Sequence, residues 1–188
     1  MRCALFILAP LLCAGEPAQP YYGDAFAPRR DYGARLETPG RVIHGAGQDE
    51  LGIARYVQTV GPQRRPRIHM TYLAVKTPPE QMTRWAAQQG VALARAGADA
   101  AVQIGLSFTT DGQGEAAQYA PAVLSGAHDA SLHALATGLA ALDRDVWVRI
   151  GYECNGKWNG YEPASYRAAF ARIAGILRAA SPRIASVW

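Results

Sequence analysis

The chain has 188 residues, 49% of them hydrophobic and 18% charged, with a formal net charge of +4. That balance suits one globular domain with a sizeable core. The basic residues are scattered: Lys76 and Lys157 are the only lysines, and Arg29-Arg30 and Arg64-Arg65-Pro66-Arg67 fall in expected loops, so the footprint of a nucleic-acid partner is missing.

Met1-Arg2, the apolar run Cys3 to Leu12 and the small residues Cys13, Ala14 and Gly15 read as a short secretory signal over residues 1–15. The run is too short for a permanent membrane anchor, so a secreted or periplasmic protein is expected, with no membrane anchor after cleavage. Cys154 is then the only cysteine left, and no internal disulfide can form. Residues 16–40 form a polar leader rich in Pro and Tyr. From 41 to 188, short apolar runs alternate with amphipathic segments, the rhythm of βα repetition. Strands are predicted at Arg41 to His44, Arg67 to Val75, Ala100 to Phe108, Val146 to Tyr152 and Ile184 to Trp188. Helices are predicted at Asp49 to Thr59, Pro79 to Ala96, Ala130 to Leu142 and Ala164 to Ala180. Leu132, Leu135, Leu139 and Leu142 make one apolar stripe, and Tyr166, Phe170, Ile173 and Leu177 make another. Thr109 to Asp129 reads as one long Gly-rich loop over a site.

The stretch from Val146 to Tyr161, VWVRIGYECNGKWNGY, holds the most chemistry. Alternation places Trp147, Arg149, Gly151 and Glu153 on one face and Val148, Ile150 and Tyr152 on the other. Glu153 thus caps the fourth strand, where a TIM barrel carries its catalytic groups. Glu153-Cys154-Asn155-Gly156-Lys157-Trp158, with a helix starting near Pro163, resembles glycoside hydrolase family 26, the β-mannanase type of the large retaining clan. The resemblance covers the fourth and fifth strands well and the earlier chain only as general βα architecture. Where that family has His before the Glu, this chain has Tyr152, so the resemblance bears on the clan more than on mannan.

The resemblance implies an α/β fold forming part of a (β/α)8 TIM barrel, about its first five strands and four helices. It also implies hydrolysis of β-linked polysaccharide, β-mannan or β-glucan, with Glu153 as general acid/base. Trp158 and Tyr161 offer flat faces to a pyranose, and Asn155 and Gln48 offer hydrogen bonds to its hydroxyls. Arg149, Tyr152 and His44 complete the expected substrate-binding set. A retaining mechanism needs a second carboxylate about 5 Å away. In the family it stands after strand seven, and no residue here matches it. The chain is accordingly expected to be the first part of a longer barrel. Asp111, Glu115 and Asp129 read as loop carboxylates. His69, Tyr72 and Gln103 on strands read as core groups more readily than as lining of a site.

Two other readings stay open. One is a carbohydrate-binding remnant without catalysis. The other is a five-stranded doubly wound protein with Gly45-Ala46-Gly47 as a nucleotide loop, though Glu50 stands where the fingerprint needs glycine. No cofactor is expected, and no His/Cys spacing suggests a metal.

Overall fold

Parallel strands must be joined by crossovers, and the chain supplies a helix for each of them. A computed structural model describes residues 34–38, 42–96, 100–108 and 119–188. In chain order the elements are β1 (Gly45–Gly47), α1 (Glu50–Val60), a 3-10 turn (Pro62–Arg64), β2 (Ile68–Ala74), α2 (Pro79–Ala96), β3 (Ala101–Ser107), α3 (Ala120–Leu124), α4 (Asp129–Ala141), β4 (Val146–Ile150), α5 (Pro163–Ala180) and β5 (Ile184–Val187). The expected signal peptide and the leader, apart from residues 34–38, lie outside the described residues, as do Asp111 and Glu115. Among the described residues no helix is long and apolar enough to cross a membrane.

The sheet is five-stranded and parallel throughout, in the order β1-β2-β3-β4-β5. A doubly wound sheet reverses its order at a switch point. This one does not reverse among its described strands. Gly45-Ala46-Gly47, offered above as a nucleotide loop, is itself the first strand, paired with Ile68 to Met70. The strand expected at Arg41 to His44 therefore lies a few residues later. Only glycine permits this pairing, since a Cβ on Gly47 would sit 2.6 Å from the Met70 carbonyl oxygen.

Period two sorts every strand into two faces. Val102, Ile104 and Leu106 of β3 align with Val146, Val148 and Ile150 of β4 and pack under Met82, Leu132, Leu135, Leu139, Ile173 and Leu177 of the helices. The other face runs in cross-strand rows: Met70, Gln103, Trp147 and Ala185, then Tyr72, Gly105, Arg149 and Val187. Tyr72 is 39% exposed on that face, and His69, in register with Val102, belongs to the helix side.

There are five helices among the described residues, one more than expected. The short α3, opened by Pro121 near its start, lies within the stretch read as one loop. Asp129 begins α4 and pairs with Arg172 of α5 at 2.5 Å, which ties it to the helix layer.

Leu135 is fully buried between sheet and helices, while Val91 on α2 is 55% exposed. Leu135→Ala is expected to lower stability in urea unfolding by about 2–5 kcal/mol. Val91→Ala should stay within about 0.5 kcal/mol.

Candidate functional site

β4 ends at Ile150 because Gly151 turns left-handed, with φ 59°, and Glu153 follows with φ 55°. The Gly151 N–H makes a last ladder bond to the Leu106 carbonyl, at 2.8 Å. A Cβ on Gly151 would lie 2.6 Å from both Phe108 Cζ and Tyr166 Cε2, so the backbone passes flush against an aromatic cluster. Two positive φ values so close together reset the alternation. Tyr152, expected on the face opposite Arg149, instead lies on the same side. Its ring meets Tyr72 edge to face at 5.2 Å, and the Arg149 guanidinium stands 5.7 Å from its centroid. Gly105 makes the room, since a Cβ there would lie 2.6 Å from Tyr72 Cδ1 and 3.1 Å from Tyr152 Cε1.

A non-glycine residue in the left-handed region costs about 1–2 kcal/mol. At Glu153 the conformation is held by two donors to its carbonyl, the Gly156 N–H at 2.9 Å and the Asn159 side-chain amide at 3.1 Å. Backbone strain held in place by its surroundings is a recurrent mark of working sites. The Glu153 carboxylate is exposed and accepts a 2.8 Å hydrogen bond from the Trp158 indole N–H at Oε2. Gly156 lets that indole fold back, because a Cβ there would collide with its ring. Trp158 remains 65% exposed and presents a flat face beside the acid.

Arg149, Glu153, Asn155, Tyr166, Val187 and Trp188 border a cavity of about 410 Å³ at the carboxyl ends of β4 and β5. Glu153 is the one carboxylate in its described lining. Arg149 has no carboxylate partner among the described residues.

Of the expected set, the fold thus gathers Glu153, Arg149, Tyr152, Asn155 and Trp158. Tyr161 packs instead, its ring 5.2 Å from both Phe108 and Tyr166. Gln48 follows β1 at the same end of the sheet, exposed and three strands away from β4. His44 stands at the opposite end. With β1 beginning at Gly45, His44 precedes the strand rather than closing it, and its Nε2 bonds the Tyr56 hydroxyl at 3.1 Å.

Beneath the site lie Tyr166 and Glu162, which the sequence pattern alone does not assign to it. Tyr166 is buried and donates its hydroxyl to the Ile150 carbonyl at 3.1 Å, so α5 grips the last residue of β4. Burial pushes its phenol well above the ordinary value, and the Cys154 side chain adds to the shift. Glu162 caps α5, accepting from the Ala164 and Ser165 backbone N–H groups at 2.8 and 2.7 Å and from the Ser165 hydroxyl. Glu162-Pro163-Ala164-Ser165 carries that signal in the sequence, as an acceptor, a first-turn proline and a serine. Among the described residues no cluster of three or more His, Cys, Asp or Glu could hold a metal ion.

Compared with protein-family models and with curated proteins, this chain matches none. The site's chemistry therefore rests on its own residues.

The Ser165 hydroxyl, then the backbone N–H groups of Ser165 and Ala164, lower the Glu162 carboxyl from its ordinary 4.5 to about 2. A depressed carboxylate stabilises the fold above its unfolded value, and that contribution is lost as pH falls from about 4.5 toward about 2. Thermal unfolding followed through that window should show the natural chain losing stability more steeply than Glu162→Gln. Parallel curves for the two proteins would contradict the cap.

Proposed function

We propose that the five strands belong to a (β/α)8 barrel and that the protein is a secreted or periplasmic glycosidase acting on β-linked polysaccharide. The substrate class is β-mannan or β-glucan, cleaved by a retaining mechanism with Glu153 as general acid/base. The observation that carries this reading is the strained, indole-held carboxylate at the carboxyl end of β4, beside an aromatic and cationic face. Barrel closure is supported by the sequential strand order and by the second sheet face, which no described helix covers. Parallel sheets are ordinarily covered on both faces, and in a barrel the opposing strands do the covering.

In the proposed reaction Glu153 gives its proton to the leaving glycosidic oxygen while a second carboxylate attacks the anomeric carbon and the C–O bond breaks. The resulting carboxylate of Glu153 then takes a proton from the water that hydrolyses the glycosyl-enzyme. The Trp158 N–H occupies Oε2 and leaves Oε1 for the proton. The Tyr152 and Tyr72 rings supply apolar surface for the sugar's C–H groups, with the Arg149 guanidinium 5.7 Å from the Tyr152 centroid. This mechanism requires its nucleophile to come from outside the described cavity lining, which contains only Glu153.

The single carboxylate favours a second reading, a sugar-binding surface without catalysis. Both are tested on soluble and insoluble β-mannan and β-glucan with a barrel that includes the second carboxylate, and with its variants. Glu153→Gln is expected to reduce turnover by about 10²- to 10⁴-fold while retention on the insoluble polymer is preserved. Turnover that survives this substitution unchanged removes Glu153 from the mechanism. Retention that depends on Trp158, from a chain that never hydrolyses either polymer, selects the binding reading.

A further inference from the structure

Among the described strands β5 pairs with β4 alone, so its other side is an edge of the sheet. The Arg183 carbonyl faces β4, where it accepts the Val146 N–H at 2.9 Å. Carbonyls alternate in direction along a strand, so that of Ile184 faces outward. Outward N–H and C=O groups template pairing with a further strand, and natural sheets cover such edges with loops or charged side chains.

Here the cover comes from far earlier in the chain. Residues 34–37 close on themselves: the Glu37 N–H donates to the Ala34 carbonyl at 3.1 Å, and the Glu37 carboxylate accepts from the Ala34 N–H at 3.2 Å. Leu36 takes a left-handed φ of 61° to make this turn. From it, Nη1 of Arg35 donates to the Ile184 carbonyl at 3.2 Å and to the Ser181 carbonyl at 3.3 Å. Ser181 caps the end of α5, where helix carbonyls run out of partners. One guanidinium thus serves a strand edge and a helix end together. Packing does less to hold the turn. Residues 34–37 line a cavity of about 660 Å³ together with Trp147, Ala185, Val187 and Trp188, and Trp188 is 74% exposed. A segment held by a few exposed polar contacts belongs to the part of a structure that opens most readily.

We propose that residues 34–37 are a displaceable strap that guards the outer edge of β5, with Arg35 as its latch. While the latch is closed, Arg35 occupies the Ile184 carbonyl that an added strand needs. Once it opens, β5 can accept a strand, and in a solution of the pure chain that strand is β5 of a second copy, paired about a two-fold axis. The strap needs only the open edge of β5 and does not rest on the glycosidase reading. In the proposed barrel the next strand takes this same edge, so the latch opens before the barrel closes.

Sedimentation velocity of the full chain over a concentration series, with hydrogen exchange of the β5 amides followed by NMR, tests the proposal. Arg35 is exposed, so Arg35→Ala should leave the circular dichroism unchanged. It is expected to self-associate at about ten-fold lower concentration than the natural chain. In the associated form the amide of Ser186, which faces outward by the same alternation, should exchange more slowly. Arg35→Gln, which keeps a donor and loses the charge, should fall between the two. Leu36→Gly, which suits the left-handed turn, should stay as monomeric as the natural chain. Association that Arg35→Ala leaves unaltered, or association that leaves Ser186 exchange unchanged, overturns the proposal. A natural chain already paired through Ser186 at the lowest concentration overturns it as well.

Discussion

Sequential parallel pairing is the constraint from which the rest of this structure follows. Each strand is hydrogen-bonded to the strand before it in the chain. Crossovers between parallel neighbours take one hand, because a right-twisted strand feeding a right-handed helix packs back on the sheet only that way. With no reversal of order, successive crossovers return on the same side. The helices α2, α4 and α5 accordingly share one layer with a common apolar core. The other face escapes that layer, and so it can hold Tyr72, Gln103, Trp147 and Arg149, whereas on the helix side the β3 and β4 positions are Val102, Ile104, Leu106, Val146, Val148 and Ile150.

The acid is connected to this core through Gly151. Its missing side chain allows the backbone to lie against Phe108 and Tyr166, and its left-handed φ aims the following residues outward. Tyr166 and Phe108 stack at 5.6 Å, and the Tyr166 hydroxyl holds the Ile150 carbonyl from α5. Glu162 fixes the start of that same helix. The loop bearing Glu153 and Trp158 is thus supported from below by packed rings and at its exit by a capped helix. Preorganisation of this kind is what a positioned acid requires.

Period-two and period-3.6 patterns were plain wherever side chains carried the burial. β2 to β5 and the four longer helices lie within two residues of where the apolar spacing puts them. β1 was displaced because Gly-Ala-Gly has almost no side-chain signal, and its pairing depends on backbone approach to Met70. That displacement alone carried His44 from one end of the sheet to the other. Tyr152 leaves the face that alternation gives it for a different reason. Alternation holds only while φ stays extended, and Gly151 and Glu153 both leave that region. The short α3 escaped notice because five residues are too few to show a helical period. At the site, Glu153 and Trp158 were legible as a carboxylate and an aromatic in one loop. Their hydrogen bond was not, since it depends on the fold-back at Gly156.

The two ends of the sheet carry different side chains, Glu153 with aromatic rings at one and His44 with Tyr56 and Arg64 at the other. On the proposed reading, sugar is met at the Glu153 end, over the sheet face that no described helix covers. The indole N–H signals of the tryptophans, followed while a β-1,4-linked manno- or gluco-oligosaccharide is added, test this most directly. Trp158 beside Glu153 should shift first, whereas Trp85 of α2, packed against the helix-side core, should not move. Shifts confined to Trp85, or an unperturbed Trp158 at saturating sugar, would contradict the account.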